Sequence, residues 1–117
     1  MEKENVILRK SFDFALQIIE FSEILEDSKK YVIARQVLKS GTSIGANVRE
    51  AQGAESKLDF IHKMKISIKE AEETEYWLLL CKKSDGYEKC DNLLENCTSI
   101  MKVLSKIIAS SKLKSIN

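Results

Sequence analysis

Residues 40–53 have the sequence SGTSIGANVREAQG and hold three of the four glycines in this 117-residue chain. A phosphate-binding loop of the P-loop type would need a preceding strand and a Gly-Lys pair, and this sequence has neither. Apolar residues instead recur at helical intervals from Tyr31 to Ala51, straight through the glycines. We therefore predict a helix here, with Gly41 and Gly45 one above the other on the same side.

Each of these two glycines costs a helix about 1 kcal/mol relative to alanine, so some other interaction should offset them. The absence of a Cβ atom allows a neighbouring helix or subunit to approach the backbone closely at Gly41 and Gly45. The alternative is that the glycines are simply a weak point in the helix.

Apolar residues at three-to-four spacing predict three further helices around this one. The four predicted helices span approximately residues 5–26, 28–53, 56–83 and 87–113. Asp27 or Ser28 is the expected N-cap of the second helix, and Ser56 with Asp59 resembles a capping box at the start of the third. The Asp85–Gly86 pair predicts the turn before the fourth helix.

The apolar residues of each helix predict its buried face. In the first helix these are Val6, Phe12, Ala15, Ile18, Ile19 and Leu25. In the second and third they include Tyr31, Ala34, Val37, Ile44, Val48, Leu58, Ile61, Met64, Ala71, Leu78 and Leu79. The fourth carries a heptad seam of Cys90, Leu93, Leu94, Cys97, Ile100, Met101, Leu104, Ile107 and Ile108. We predict an all-α fold, a single up-down-up-down antiparallel four-helix bundle over residues 1–117.

The charge balance and the length of the apolar runs bear on whether the protein acts at nucleic acid or at a membrane. There are 19 Lys and Arg against 18 Asp and Glu, so no global charge would drive the chain onto nucleic acid or an anionic membrane. No apolar run approaches the roughly 20 residues that span a bilayer, and the first ten residues alternate charge where a signal peptide is apolar. We expect a cytoplasmic protein that does not act at a membrane, with reduced thiols at Cys81, Cys90 and Cys97.

Polar residues of the second helix also follow the helical period. They are Gln36, Ser40, Ser43, Asn47 and Glu50, and the third helix carries a partial counterpart in Ser67, Glu70 and Thr74. Two such stripes facing each other could satisfy one another's hydrogen bonds. The alternative is two faces that meet water.

The segment from Gln36 to Leu80 resembles the 23S ribosomal RNA intervening-sequence proteins. The family motif is a Gln, a Ser-Ile pair, an Asn-Val pair with a Glu three residues after the Asn, and a Ser-x-x-Glu in the next helix. It falls on Gln36, Ser43, Ile44, Asn47, Val48, Glu50, Ser67 and Glu70. The resemblance implies a helical bundle that assembles into a homopentameric ring, with no established biochemical role.

Two groups of lysines are candidate contacts to nucleic acid or to another subunit. Lys63, Lys65 and Lys69 crowd the first half of the third helix, and four glutamates crowd its second half, which opposes the helix dipole. A head-to-tail contact between subunits could pair the two halves, and solvated charges are the alternative. The second group is Lys102, Lys106, Lys112 and Lys114, which follow the last acidic residue, Glu95. These lysines could bind RNA phosphates, or they could simply complement the helix dipole.

We predict no catalytic residue, metal site or cofactor. Asp59 and His62 superficially resemble half of a di-iron motif, but His62 is the only histidine in the chain. Tyr76 and Trp77 point in directions about 100° apart on a helix, so one of them could cover a neighbouring subunit. Two functions remain, a scaffold that assembles with itself or another protein, and an RNA-binding ring.

Overall fold

The computed structural model describes residues 5–116, with side chains as far as Leu113. The chain forms α1 (Val6–Asp27), α2 (Tyr31–Ala51), α3 (Lys57–Lys83) and α4 (Asp91–Ile116). Residues 5–116 contain no strand, which confirms the predicted all-α class.

Consecutive helices pack antiparallel. Between α1 and α2, Gly41 meets Ile18 and Gly45 meets Ser11, so residue numbers rise in one helix as they fall in the other. Ser40 with Thr74 and Ile44 with Ser67 show the same order between α2 and α3. Cys90 with Leu78 and Cys97 with Ala71 show it between α3 and the chain that leads into α4. In the described part of the chain α1 also contacts α4, whereas α1 does not contact α3 and α2 does not contact α4. The helices therefore stand at the corners of a square, and the α1–α2 edge lies opposite the α3–α4 edge.

Side-chain N-caps start two of the helices, α1 and α3. The Asn5 side chain accepts a hydrogen bond from the Leu8 N–H at the start of α1. The Ser56 hydroxyl accepts from the Asp59 N–H at 3.0 Å, which confirms Ser56 as the N-cap of α3. The Asp59 carboxylate accepts from the Glu55 N–H at 3.2 Å, one residue earlier than in a standard capping box.

The predicted N-cap of α2 is wrong. Asp27 is the last residue of α1 and Ser28 is its C-cap, because the Ser28 N–H still bonds to the carbonyls of that helix. Lys29 then adopts a left-handed conformation with φ of 65°, and α2 begins at Tyr31. The turn before α4 contains Gly86 at φ of 82°, and α4 begins at Asp91 rather than at about residue 87.

The predicted buried face of α1 is partly wrong. Ile18 and Leu25 are buried, but Val6, Phe12 and Ile19 are exposed. The buried face actually consists of Ile7, Ser11, Phe14, Ile18, Phe21, Ser22 and Leu25. The error has a physical cause, because α1 carries apolar side chains on two sides and only one of them faces the core.

Three predicted core residues outside α1 are also exposed. Tyr31 and Leu58 lie in the first turns of α2 and α3, and Leu79 lies where α3 borders α4. The α4 seam is confirmed, since Cys90, Leu93, Cys97, Ile100, Leu104 and Ile108 are buried and Leu94, Met101 and Ile107 are half-buried against them.

Candidate interaction surfaces

Buried hydroxyl groups join α2 to α3. Ser67 Oγ donates to the Ile44 carbonyl at 2.9 Å, and both groups lie in the interior. Thr74 Oγ1 lies 2.9 Å from Ser40 Oγ and 2.7 Å from the Glu70 carbonyl, and it can donate its one proton to either. Ser40 in turn donates to the Gln36 carbonyl at 3.0 Å. The two polar stripes therefore meet at Ser40 and Thr74, and these contacts set the register of α2 against α3.

The outer part of the α2 stripe makes different contacts. Ser43 Oγ donates to the Lys39 carbonyl at 2.7 Å, and Asn47 Nδ2 donates to the Ser43 carbonyl at 2.8 Å. Glu50 lies 3.7 Å from Lys63 Nζ across the α2–α3 boundary. Ser43 and Asn47 thus bond within their own helix and present their remaining acceptors at the surface.

Glu70, which belongs to the polar stripe of α3, has a half-buried carboxylate. Burial raises its pKa, the nearby Glu73 carboxylate raises it further, and Lys39 lowers it. Gln36 is half-buried on the facing helix.

The two glycines mark the closest approach of α1 to α2. A Cβ atom on Gly41 would lie 2.8 Å from two side-chain carbons of Ile18. A Cβ atom on Gly45 would lie 3.3 Å from the carbonyl and hydroxyl oxygens of Ser11. Both glycines therefore lie against a helix of the same chain, with Gly41 buried and Gly45 half-buried.

The second apolar side of α1 forms an exposed ridge. Phe12, Leu16 and Ile19, which we call the α1 ridge, are 56%, 50% and 38% exposed. They follow positions i, i+4 and i+7, so they line one side of the helix. A cavity of about 200 Å³ lies beside them, between Phe12 and Ala15 of α1 and Thr42 and Ala46 of α2.

A larger groove runs along the opposite edge of the bundle. This α3–α4 groove has a volume of about 610 Å³. Its apolar lining comes from Leu79, Leu94 and Val103, and its remaining lining residues are Glu75, Lys82, Glu95, Thr98, Ser99 and Lys102. Lys82 is bound to Asp91 at 3.1 Å.

This geometry can be compared with known proteins. The model of the 23S rRNA-intervening sequence protein family matches the chain over residues 3–106, which include every element that builds the two surfaces except the end of α4. The chain belongs to this family. A solved structure from Bacteroides thetaiotaomicron, described as a protein with unknown function from the S23 ribosomal protein family, is similar with 42% sequence identity and a TM-score of 0.84. That similarity covers 87% of this chain and 97% of the other. No curated protein matches this chain.

The candidate lysines of this intervening-sequence protein lie in two regions. In α3, Lys65 and Lys69 are exposed, whereas Lys63 is held between Glu50 and Asp59 at 3.7 and 3.9 Å. In α4, Lys102, Lys106 and Lys112 are exposed, and the side chain of Lys114 lies outside the described residues. Lys63 is therefore occupied by contacts within its own chain.

The cysteines of this intervening-sequence protein are structural. All three thiols are buried, and Cys90 and Cys97 donate to the Leu78 and Ala71 carbonyls at 3.3 Å. Burial raises the pKa of Cys97 to about 12 and that of Cys81 to about 11. Burial also raises the pKa of Cys90. Thiols of this kind are poor nucleophiles near neutral pH.

Two further findings bear on the function of this family member. Among the described residues no three His, Cys, Asp or Glu side chains cluster as metal ligands would. None of the helices, over the same residues, has the length and apolar character needed to cross a bilayer.

The aromatic pair of α3 lies at the surface. Tyr76 is exposed and Trp77 is half-buried, with their rings edge to face at 5.3 Å. Trp77 Nε1 donates to Glu73 at 3.2 Å, so the more buried ring is anchored on its own helix. Tyr76 is the outward-facing member of the pair.

Sequence reasoning misses the α1 ridge and the α3–α4 groove. Periodicity places Phe12, Ile19 and Leu79 in the core, and it leaves Leu16 without a place. A signal is available in α1, because its apolar residues cover more of the helix circumference than one core contact can bury. The groove leaves no such signal, since it depends on how far apart α3 and α4 stand.

Proposed function

We propose that this protein is a non-enzymatic, cytoplasmic scaffold that assembles with copies of itself, with five copies in a closed ring as the family resemblance implies. One observation carries the proposal. The described core buries side chains such as Phe14, Ile18 and Leu25 almost completely, yet the α1 ridge keeps three large apolar side chains exposed in a row. An apolar row of this kind on the surface of a monomer commonly marks a contact with another protein.

The chemistry of the remaining residues supports a non-enzymatic role. The three thiols are buried with raised pKa values, and the single histidine, His62, is exposed. Such groups supply neither an activated nucleophile nor a positioned base.

Native mass tests self-assembly directly. Size-exclusion chromatography with light scattering should give a mass that is a multiple of 13.3 kDa at micromolar concentration. The melting temperature should rise with protein concentration, because assembly stabilises the folded state by mass action. A mass of 13.3 kDa at tens of micromolar and a melting temperature independent of concentration would rule out self-assembly.

RNA binding is the second candidate function, and the lysines of α4 are the observation that favours it. Lys102 and Lys106 are exposed one turn apart, and no acidic residue follows Glu95. A ring would bring several copies of this basic surface together. No aromatic residue lies near these lysines in sequence, so binding would act through phosphates and would not depend on base sequence.

Gel shifts with a structured RNA at increasing salt concentration test this second function. Lys106→Glu, which leaves the groove residue Lys102 unchanged, should weaken binding and reduce the slope of log K against log salt by about 0.7 to 0.9 for each phosphate that the variant no longer neutralises. Lys83→Glu is the control, since it changes net charge equally at an exposed position elsewhere. The absence of a complex at low salt, or equal weakening by both variants, would eliminate a role for the α4 lysines.

A further inference from the structure

The two apolar surfaces occupy opposite edges of the bundle. The α1 ridge lies beside the α1–α2 boundary, and the α3–α4 groove lies on the edge across the square. A contact that used one surface on each of two copies would leave a ridge at one end and a groove at the other. Each added copy could then repeat the same contact.

The two surfaces match in length along the helix axis. The ridge extends about 10 Å from Phe12 to Ile19, at 1.5 Å per residue. The groove extends about 14 Å along α4 from Leu94 to Val103, at the same rise, so it is long enough to accept the ridge. An apolar row at i, i+4 and i+7 that enters an apolar groove is a recurrent way for a helix to be recognised.

The charges beside the two surfaces are also complementary. On the flank of the ridge away from α2, the basic Arg9 comes first and the acidic Asp13 and Glu20 follow. Along the α4 side of the groove, the acidic Glu95 comes first and the basic Lys102 follows one heptad later. With α1 of one copy parallel to α4 of the next, Arg9 lies near Glu95, and Lys102 comes between Asp13 and Glu20. In the antiparallel alignment Glu20 would lie near Glu95 and Arg9 near Lys106, and only Asp13 would meet an opposite charge, that of Lys102.

We infer that the α1 ridge of one copy docks into the α3–α4 groove of a second copy, with the two helices parallel. This inference rests on the self-assembly proposed above and assigns the two faces that make it. The contact is heterologous, because each copy contributes a different face, and such contacts close into rings when the rotation per copy allows.

Complementation between two blocked variants tests the pairing. Leu16→Arg blocks the ridge and Leu79→Arg blocks the groove, and both side chains are already 42–50% exposed, so the fold should tolerate the changes. Leu58→Arg is the control, because Leu58 is 80% exposed and lies outside both surfaces. Far-UV circular dichroism verifies that each variant is helical before its mass is measured by light scattering.

We expect the unmodified protein and Leu58→Arg to share one oligomeric mass. Leu16→Arg and Leu79→Arg should each be monomers of 13.3 kDa when alone. An equal mixture of the two should form a heterodimer and nothing larger, because it contains one intact ridge and one intact groove that can meet.

The other outcomes separate the inference from the proposed function. A monomeric unmodified protein overturns both. An oligomeric unmodified protein whose two blocked variants keep its mass, or lose it through only one of the two faces, overturns the ridge–groove pairing and leaves self-assembly standing. Blocked variants that are folded monomers but stay monomeric when mixed also overturn the pairing.

Discussion

Replacing Gly41 with alanine should destabilise the protein, although alanine is the better helix former. The new methyl group would lie 2.8 Å from both Cγ atoms of Ile18, well inside van der Waals contact. Ile18 is fully buried and β-branched, so its side chain has little freedom to move away. Overpacking of this kind costs about 1 to 3 kcal/mol, and the helix gains about 1 kcal/mol from losing the glycine. Because two carbons are contacted at once, we expect a cost at the upper end of that range, and subtracting the helix gain leaves a net loss of about 2 kcal/mol.

A double substitution identifies the contact responsible. Ile18→Ala alone should cost about 2 to 5 kcal/mol, since it empties a core position. The double variant should cost at least about 1 kcal/mol less than the sum of the two single changes, because the new methyl group occupies part of the space that Ile18 vacates. Gly53→Ala is the control, since the nearest atom to its new Cβ is the Glu50 carbonyl oxygen at 3.9 Å, and we expect a change within about 0.5 kcal/mol.

Urea unfolding followed by far-UV circular dichroism measures these differences, provided that all variants are compared at one protein concentration. If Gly41→Ala were more stable than the unmodified protein by about 1 kcal/mol, helix propensity alone would determine the outcome. The close approach of α1 to α2 at Gly41 would then be refuted. Additive effects of the two substitutions would separately refute the Gly41–Ile18 contact.

Three further changes test other parts of the structure, and a fourth measurement tests the thiols. Lys29→Gly should raise the unfolding free energy by about 1 kcal/mol in urea titrations, because glycine adopts a positive φ without strain, and no gain would contradict the left-handed turn. Ser67→Ala should lower it by about 1 kcal/mol by removing the buried hydrogen bond to α2, and an unchanged midpoint would show that this bond contributes nothing. At pH 8 a thiol reagent should leave Cys97 unlabelled in the folded protein and label it in denaturant, since burial raises its pKa to about 12, and rapid labelling of the folded protein would refute that burial. Lys65→Glu with Lys69→Glu should reduce the oligomeric mass in light scattering if the basic half of α3 meets the acidic half in a neighbour, and an unchanged mass removes that hypothesis.

The elements of this fold are largely predictable from sequence, and their ends are less so. Periodicity identifies all four helices and the α4 seam, because a heptad of Leu, Ile and Cys can face only one way. The start of α2 is not predictable, since the chain turns there with Lys29 in a left-handed conformation that normally indicates glycine or asparagine. Ser28 is an ordinary N-cap residue by type, and only the backbone bonds of α1 show that it ends a helix instead.

The polar stripe is visible in the sequence, but its hydrogen bonds are not. Ser40, Ser43 and Asn47 share one periodicity and all three donate to carbonyls of α2, yet Ser40 also meets Thr74 of α3. Spacing determines the side of a helix on which a residue lies. It does not determine whether a short side chain reaches the neighbouring helix or turns back to its own, because that depends on the distance between the two axes.

Some apolar residues of α1 that the sequence pattern assigns to the core are exposed. Phe12 and Ile19 are apolar and helically spaced, as core residues are, yet both are exposed. The core of the chain is formed without them. A helix whose apolar residues exceed what one core can bury is therefore informative through its excess. On α1 the three ridge residues share one side, whereas the exposed Val6 and Ile24 lie apart from them. The proposed self-assembly accounts for this excess, because a neighbouring copy would cover the ridge as the chain covers its own interior.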